Sequence, residues 1–405
     1  MKKVIFINRY FYPDQSATSQ ILSDLLFNIS DEINLEVHVI TGRHSYERNR
    51  LFSKQENIEN ISVHRVWTSS FGRGNLIGRF FDYITFYIST FIQLLFLVKK
   101  HDLVVVKTDP PIISFIAYVV TKIKRGYLIN WVQDLFPEVA GALGVISKES
   151  LLYRILKKAK DISLHAADKN VVIGEKMAEL LISGGVDSKK IEVIHNWNVN
   201  VNTKYVPKNE NKLIQEWGLN DKFIIGYSGN FGRAHEYTVV KNLIDHYSNN
   251  KNIVFLFIGG GKYYDDLKRI SVLNSYENVH FKGYQDKSVL NQSLSVPDVH
   301  LISLSPELEG LIVPSKFYGL ASIGMPMIFI GDEDGQIGVM LRDSDSGIVV
   351  SNENFNQLVH SIESLLKGEV DLRVISNNIK KLYQSNYTPE KAYNMWKKIL
   401  VAYDK

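Results

Sequence analysis

A chain of 405 residues is too long for one ordinary hydrophobic core and predicts two domains of roughly 150–200 residues. Its 45% hydrophobic and 22% charged content is that of a folded soluble protein, and a net charge of +4 is too mild to argue for nucleic acid. No cysteine is present, which excludes disulfides, thiolate metal sites and cysteine nucleophiles and fits a cytosolic chain.

The N-terminal "MKKVIFINRYFYP" holds a short apolar run with no small-residue cleavage site after it. It reads as a first buried strand rather than a secretion signal. The loop "RYFYPDQSATS" follows, then helical spacing in "QILSDLLFNISDEI". "LEVHVITG", "ISVHRVW", "DLVVVKT", "GYLINWVQD", "KNVVIG" and "IEVIHN" read as strands, separated after the second by helical segments. Alternating β and α elements predict a doubly wound parallel sheet. Residues 197–221 are polar and rich in Asn and Lys, which suits a linker. A second α/β series begins at "FIIGYSGN" and continues through "NIVFLFIGGG", "NVHFKGY", "VHLISLS", "PMIFIG" and "SGIVV". The expected organisation is therefore a Rossmann-like domain over 1–196, a linker over 197–221 and a second Rossmann-like domain over 222–385. An amphipathic helix in 386–405 is expected to pack back on the first domain. Two such sheets predict ligands at the C-terminal ends of the strands, facing a central cleft.

The residues at those strand ends carry the chemistry. In "YSGNFGRAHE", Gly229 and Gly232 flank Asn230 and permit close backbone approach, and Arg233 adds a permanent forked cation. The same stretch is also consistent with a plain glycine turn. Gly259 and Gly260 precede a helix, where amides hold an anion or simply form a tight turn. In "VPSKFYGLASIGMP", Pro314 and Ser315 read as a helix start, with Ser315 a candidate N-cap. Lys316 then stands in the first turn, the end of a helix that disfavours a cation. An anion bound there removes the penalty, and a phosphate is the expected one. "GDEDGQIGVML" repeats the pattern, with Gly335, Gln336 and Ile337 opening a helix. Its Asp332 and Asp334, and Asp343 and Asp345 further on, form D-x-D spacings that read as turns rather than as a metal site.

The stretches "NRYFYPDQSATSQIL", "WVQDLFPE", "VIHNW", "YSGNFGRAHE", "PELEGLIVPSKFYGLASIGMP" and "GDEDGQIG" occur in order along nearly the whole chain. In them the sequence resembles the retaining GT-B glycosyltransferases of family 4. More narrowly it is similar to bacterial enzymes that build O-antigen and capsule, of the N-acetylfucosamine transferase type. The resemblance implies that Arg233 and Lys316 bind the diphosphate of a nucleotide sugar, expected to be UDP-linked. It implies Glu309 near the donor sugar, and Gly283 and Tyr284 near the base. Tyr318 and Gly319 fall in the donor-binding segment. The loop Asp14, Gln15, Ser16, Ala17 and Thr18 is expected to face the phosphates and the acceptor.

Two departures stand out. The family's ribose-binding glutamate is Gly319 here, and its frequent histidine is Gln133. Asp134 then becomes the candidate for an acid–base or acceptor-positioning role, or is a turn aspartate ahead of "LFPE". Transfer with retention needs no strong protein base if the leaving phosphate takes the acceptor proton. No metal or other cofactor is expected. The apolar segment between Arg79 and Lys100 is long enough to cross a bilayer, yet it lies between two strands of one sheet. The expectation is peripheral contact with an anionic membrane through this helix, Arg79, Lys99, Lys100, Lys122, Lys124 and Arg125. The expected location is cytoplasmic, on the inner face of the cytoplasmic membrane, where a polyprenyl diphosphate-linked saccharide would be the acceptor. A nucleotide-sugar epimerase of the same fold and a non-catalytic, membrane-associated nucleotide-binding protein remain the rival readings.

Overall fold

The computed structural model describes residues 2–47, 50–72, 76–200 and 203–404. The chain forms two compact units, 1–199 with 389–405, and 200–388.

The first unit is built on an eight-stranded sheet of β1 (Lys3–Ile7), β2 (Glu36–Gly42), β3 (Gln55–Ile58), β4 (Ile61–Val66), β5 (Leu103–Lys107), β6 (Tyr127–Val132), β7 (Lys169–Val172) and β8 (Ile191–Val193). Their order is β3-β4-β2-β1-β5-β6-β7-β8, and only the β3–β4 pair is antiparallel. The central strands are apolar runs because both faces are covered: every residue of β5 is buried. One face meets the helix Ala17–Ile29, and the other meets the helices Leu76–Leu97 and Ile113–Lys124.

The helix Pro389–Val401 completes the first face. Trp396 is fully buried, with its ring 4.6 Å from that of Trp131 on β6. Tyr393 and the Trp197 indole both donate to Asp24, which joins three distant stretches at one carboxylate.

The second unit holds a six-stranded sheet of β9 (Phe223–Asn230), β10 (Ile253–Gly260), β11 (Val279–Lys282), β12 (Val299–Ser303), β13 (Met327–Ile330) and β14 (Ile348–Val350). The order is β11-β10-β9-β12-β13-β14 and every pair is parallel. A parallel sheet with β9 and β12 adjacent places the β9 and β12 ends beside one another, where crossovers change direction.

The expected linker over 197–221 is largely packed. Trp197 lies in the first core, and Leu213, Ile214 and Leu219 are buried against β9 and β10 of the second unit. Its polar composition hid a few apolar anchors: Asn211 caps the short helix Lys212–Glu216. Residues 201–202 of that stretch lie outside the described residues.

Trp396→Ala should empty a fully enclosed indole site and cost the first unit about 3–5 kcal/mol. Denaturant unfolding followed by amide exchange should show the loss in strands β1 to β8, with β9 to β14 unchanged. Equal losses in both sheets would contradict this division of the core.

Candidate active site

In the second unit the sheet ends in a stack of rings. Tyr227, just past the middle of β9, sits 4.5 Å from Phe231 and 6.1 Å from Phe257 between ring centroids. Phe257 stacks in turn on Phe281 at 5.5 Å. Lys316 opens the helix Lys316–Ile323 and lays its ammonium 3.7 Å from the centroid of the Tyr227 ring. It donates to the Tyr227 hydroxyl, which itself donates to the Asn230 carbonyl at 3.1 Å. Among the described residues no carboxylate pairs with Lys316. Lys316 as a whole is half-buried, with its ammonium set against the Tyr227 ring. Burial accordingly drives its pKa well below the ordinary lysine value. The same burial raises the Tyr227 hydroxyl well above its usual range.

His235 stands edge-on to Tyr227 at 5.6 Å, and its Nδ1 lies 2.7 Å from the Ser303 carbonyl. Burial, then the Lys316 ammonium, push it down to about 3, so it is a neutral imidazole. Arg233 projects from the turn just before it, exposed and without an ion pair among the described residues. That turn is fixed by the Ala234 carbonyl, which accepts the Ser305 amide at 2.9 Å. Arg233, Lys316 and the Gly229–Gly232 turn therefore belong to the same end of the sheet.

The glycines have a geometric cause at two places. A Cβ on Gly259 would meet the Gly229 carbonyl oxygen at 2.3 Å, and Gly259 has φ 132°. Gly261, at φ 120°, would meet the Asn230 amide oxygen at 2.5 Å. Both allow the ends of β9 and β10 to close on each other. Gly260 lies under the ring of Tyr284, which is 69% exposed, and Gly283 beside it is open.

Three of the helices that begin at this edge differ in what meets their first amides. At Lys262–Leu273 the Tyr263 and Tyr264 amides donate to the Phe231 carbonyl at 2.9 and 3.4 Å. The anion site expected beside Gly259 and Gly260 is thus taken by backbone. At Gln336–Arg342 the Gln336 amide donates to Glu309 Oε1 at 2.7 Å, and Gly335 leaves room for that carboxylate. Glu309 therefore caps a helix, where its charge suits the dipole. At Lys316–Ile323 Ser315 makes no capping hydrogen bond, contrary to the sequence expectation, and the Phe317 and Tyr318 amides donate to the Pro314 and Ser315 carbonyls at 3.1 and 3.3 Å.

Other expected contacts are placed differently. Tyr318 is buried against Phe317 and Tyr387, with centroids 5.3 and 5.7 Å away, so its ring is core. Ile337 is fully buried, and the Gln336 side chain points at the Met340 sulfur at 3.4 Å. Pro314 is buried and serves the turn. Gly319 faces open space: a Cβ added to it would meet nothing within 4 Å. Asp332 accepts the Asp334 amide at 2.9 Å, and Arg342 pairs with Asp334 at 3.0 Å and Asp343 at 3.5 Å. No cluster of three or more His, Asp or Glu side chains suited to a metal occurs among the described residues.

In the first unit, Asp14 accepts the Ser16 amide at 2.8 Å and also the Tyr46 amide. It holds the loop's backbone, whereas Gln15 and Ala17 are exposed. Thr18 donates to Asp109 at 3.2 Å, and its carbonyl accepts from Lys107 Nζ at 3.2 Å. Lys107 is a buried lysine that sequence reading passed over; its ammonium lies 4.0 Å from the Trp131 ring centroid. Gln133 is engaged with Asn196 in a reciprocal amide pair at 3.2 and 3.0 Å, so it does not substitute for a catalytic histidine. Asp134 beside it is enclosed. Burial raises its carboxyl to about 6, against a hydrogen bond with Thr108, with Asp109 adding to the rise. A carboxyl tuned this way is competent to exchange a proton near neutrality.

Residues 209–382 match the family model described as glycosyl transferases group 1. The probable glycosyltransferase WbjE of Pseudomonas aeruginosa is 25% identical over 295 residues, covering 72% of each protein. HepE of Anabaena, solved with UDP and glucose, superposes with a TM-score of 0.69 at 14% identity over 99% of both chains. WaaG, a glycosyltransferase involved in lipopolysaccharide biosynthesis, gives 0.62 at 13% identity, over 97% of this chain and 99% of that one. These two likenesses establish the GT-B architecture of paired parallel-sheet α/β domains. The matched segment carries Arg233, Glu309 and Lys316, and on that match the chain is a glycosyltransferase enzyme.

Proposed function

We propose that the protein moves a sugar, with retention, from a UDP-linked donor to a hydroxyl of a polyprenyl diphosphate-linked saccharide in surface polysaccharide synthesis. O-antigen or capsule is the product class. The enzyme works peripherally on the inner face of the cytoplasmic membrane. The observation that carries the reading is Lys316: a desolvated cation at a helix start, balanced by one tyrosine hydroxyl and no carboxylate among the described residues. Such a cation is costly until an anion joins it. The family match of this segment and the UDP bound by HepE favour a nucleoside diphosphate as that anion.

The chemistry follows from where charge develops. The bond between the anomeric carbon and the β-phosphate oxygen breaks, and one from that carbon to the acceptor oxygen forms. The acceptor proton passes to the departing phosphate. Lys316 and Arg233 offset the negative charge that grows on the diphosphate, and they are in place beforehand. The ring stack fixes the Lys316 ammonium, and Gly229 to Gly232 let amides approach. Glu309 is assigned to the donor sugar and Tyr284, exposed over Gly260, to the base. Asp134 is assigned to the acceptor hydroxyl. No metal is needed for this scheme.

Lys316→Ala should lose on the order of 2–4 kcal/mol of transition-state binding with the fold intact. Arg233→Ala should do likewise, and the pair should fall short of additivity if both act on one diphosphate. Calorimetric titration with UDP tests the reading directly. Undiminished UDP binding in Lys316→Ala would remove its basis, and consumption of a UDP-sugar without an acceptor would favour an epimerase.

The depressed Lys316 pKa gives a pH signature. Above that pKa the free lysine is neutral, and a bound diphosphate restores its proton. UDP binding should therefore take up protons and weaken as pH rises. Titrations in buffers of different ionisation enthalpy should detect the uptake, and Lys316→Arg should abolish it.

Gly319→Glu should be accommodated, since the space beyond its Cα is open. If the missing ribose contact is merely absent, the new carboxylate should tighten UDP binding and leave binding of ribose-free diphosphate unchanged. Weaker UDP binding would mean that the ribose site has been rebuilt around glycine.

A further inference from the structure

The helix Leu76–Leu97 has two apolar faces, and the sheet uses one of them. Phe86, Leu94 and Leu97 pack into the core with Val66, Val104 and Val106. On the opposite side Ile77, Phe80, Ile88, Ile92 and Phe96 stand 66%, 57%, 56%, 49% and 83% exposed. With Phe81 and Ile84 between them they recur every three or four residues, the spacing of one helix face. By length and composition alone the helix could cross a membrane.

Its buried polar groups forbid crossing. Asp82, the helix's only carboxylate, is fully buried. It accepts Ser69 Oγ at 2.7 Å and the amides of Phe71 and Gly72 at 3.0 and 3.3 Å, and lies 3.9 Å from the Arg9 guanidinium. Arg9 continues from β1 and places its guanidinium 4.8 Å from the Tyr83 ring centroid. Withdrawing the helix would strand this ion pair and open the sheet beside β1 and β4. The helix lies flat on its sheet, with its outer ridge bare.

The ridge has distinct ends. It begins just after β4, at the edge where Arg9, Asp14 and Asp134 also lie. There Phe71, 70% exposed, meets Phe81 at 6.0 Å between centroids, and Phe81 meets Phe80 at 6.0 Å. It finishes just before β5, at the opposite edge. Lys99 and Lys100 follow it, and Lys122, Lys124 and Arg125 close the neighbouring helix, with Ile123 61% exposed among them. That neighbour, Ile113–Lys124, carries no carboxylate. An apolar ridge, an aromatic head and a basic foot complement an anionic lipid surface.

We infer that this ridge lies in the plane of an anionic bilayer surface, with the Phe71–Phe80–Phe81 head and the Ile88–Phe96 stripe immersed among the acyl chains and the basic foot at the headgroups. Apolar immersion carries the binding and the cations orient it. The inference deepens the membrane-side part of the proposed function, and it puts the head at the edge that holds Asp134.

Phe80→Gln, Ile88→Gln and Phe96→Gln together should keep the fold, because all three side chains are exposed and glutamine suits a helix. The test is flotation with vesicles of phosphatidylcholine containing one quarter phosphatidylglycerol. The parent protein should float with them at low and at high salt. The triple variant should bind more than about tenfold more weakly at both. Replacing Lys122, Lys124 and Arg125 by glutamate should weaken binding chiefly at low salt. The chain has no cysteine, so Ile88→Cys accepts a single environment-sensitive dye, which should shift to the blue on vesicles; the same dye at Lys268→Cys in the second unit should not. A parent protein that never floats, a ridge variant that floats as well as the parent, or a ridge that instead holds two copies together in solution would each overturn the inference. UDP titration of the same ridge variant should be unchanged, which separates this failure from failure of the transfer reading.

Discussion

A cation pressed onto a tyrosine ring governs the second unit. Lys316 cannot share its charge with a carboxylate, so the protein must hold it by shape. The ring pile of Tyr227, Phe257 and Phe281 gives it a rigid face, and the hydroxyl of Tyr227 gives it one directed acceptor. Neighbouring features follow from that. His235 is kept neutral so that it does not repel the ammonium. Phe231 places one carbonyl over the first amides of Lys262–Leu273, and Glu309 covers the first amide of Gln336–Arg342. Lys262 also opens a helix at this edge, but it pairs with Asp266 at 3.3 Å, whereas no carboxylate among the described residues pairs with Lys316.

The first unit resolves its own buried charge differently. Arg9 meets Asp82, Thr18 donates to Asp109 and accepts from Lys107 through its carbonyl, and Asp134 is pushed toward its neutral form. Here each charge has a partner or loses its charge. Lys107, laid on the Trp131 ring at 4.0 Å, is a second buried lysine held by a ring and one oxygen acceptor, and Asp134 is a group able to trade a proton.

Much of this was legible in the sequence, for definite reasons. Parallel strands buried on both faces announce themselves as apolar runs, and a glycine before a proline marks a helix end, as Gly324 at φ 74° does ahead of Pro326. The dipole argument singled out Lys316 because a lysine in a first turn is a local conflict that needs a reason. The tyrosine that holds it was not legible: Tyr227 lies mid-strand in "FIIGYSGN", and nothing local tells a ring that fills a core from one that seats a cation. Glu309 was read as a ligand group and caps a helix 27 residues ahead, a pairing no spacing rule reaches. The 197–221 stretch looked like a linker because four buried apolar residues, Trp197, Leu213, Ile214 and Leu219, among many polar ones leave no period to read. For the long apolar helix, composition could say that both faces were apolar but could not say which one the sheet would take.

The helix Pro389–Val401 bears on how the molecule is made. The first unit lacks Trp396 until the whole of residues 200–388 has been synthesised. At ribosomal rates of about 5–20 residues per second, that interval lasts roughly 10–40 s. During it the Trp131 ring on β6 has Lys107 and Trp197 beside it but lacks the cover that Trp396 supplies. The second unit, contiguous in sequence, can close first. The N-terminal sheet therefore emerges early and matures late, and a nascent chain stalled near residue 388 presents a finished sugar-nucleotide domain beside an open core, the kind of surface that chaperones and proteases recognise.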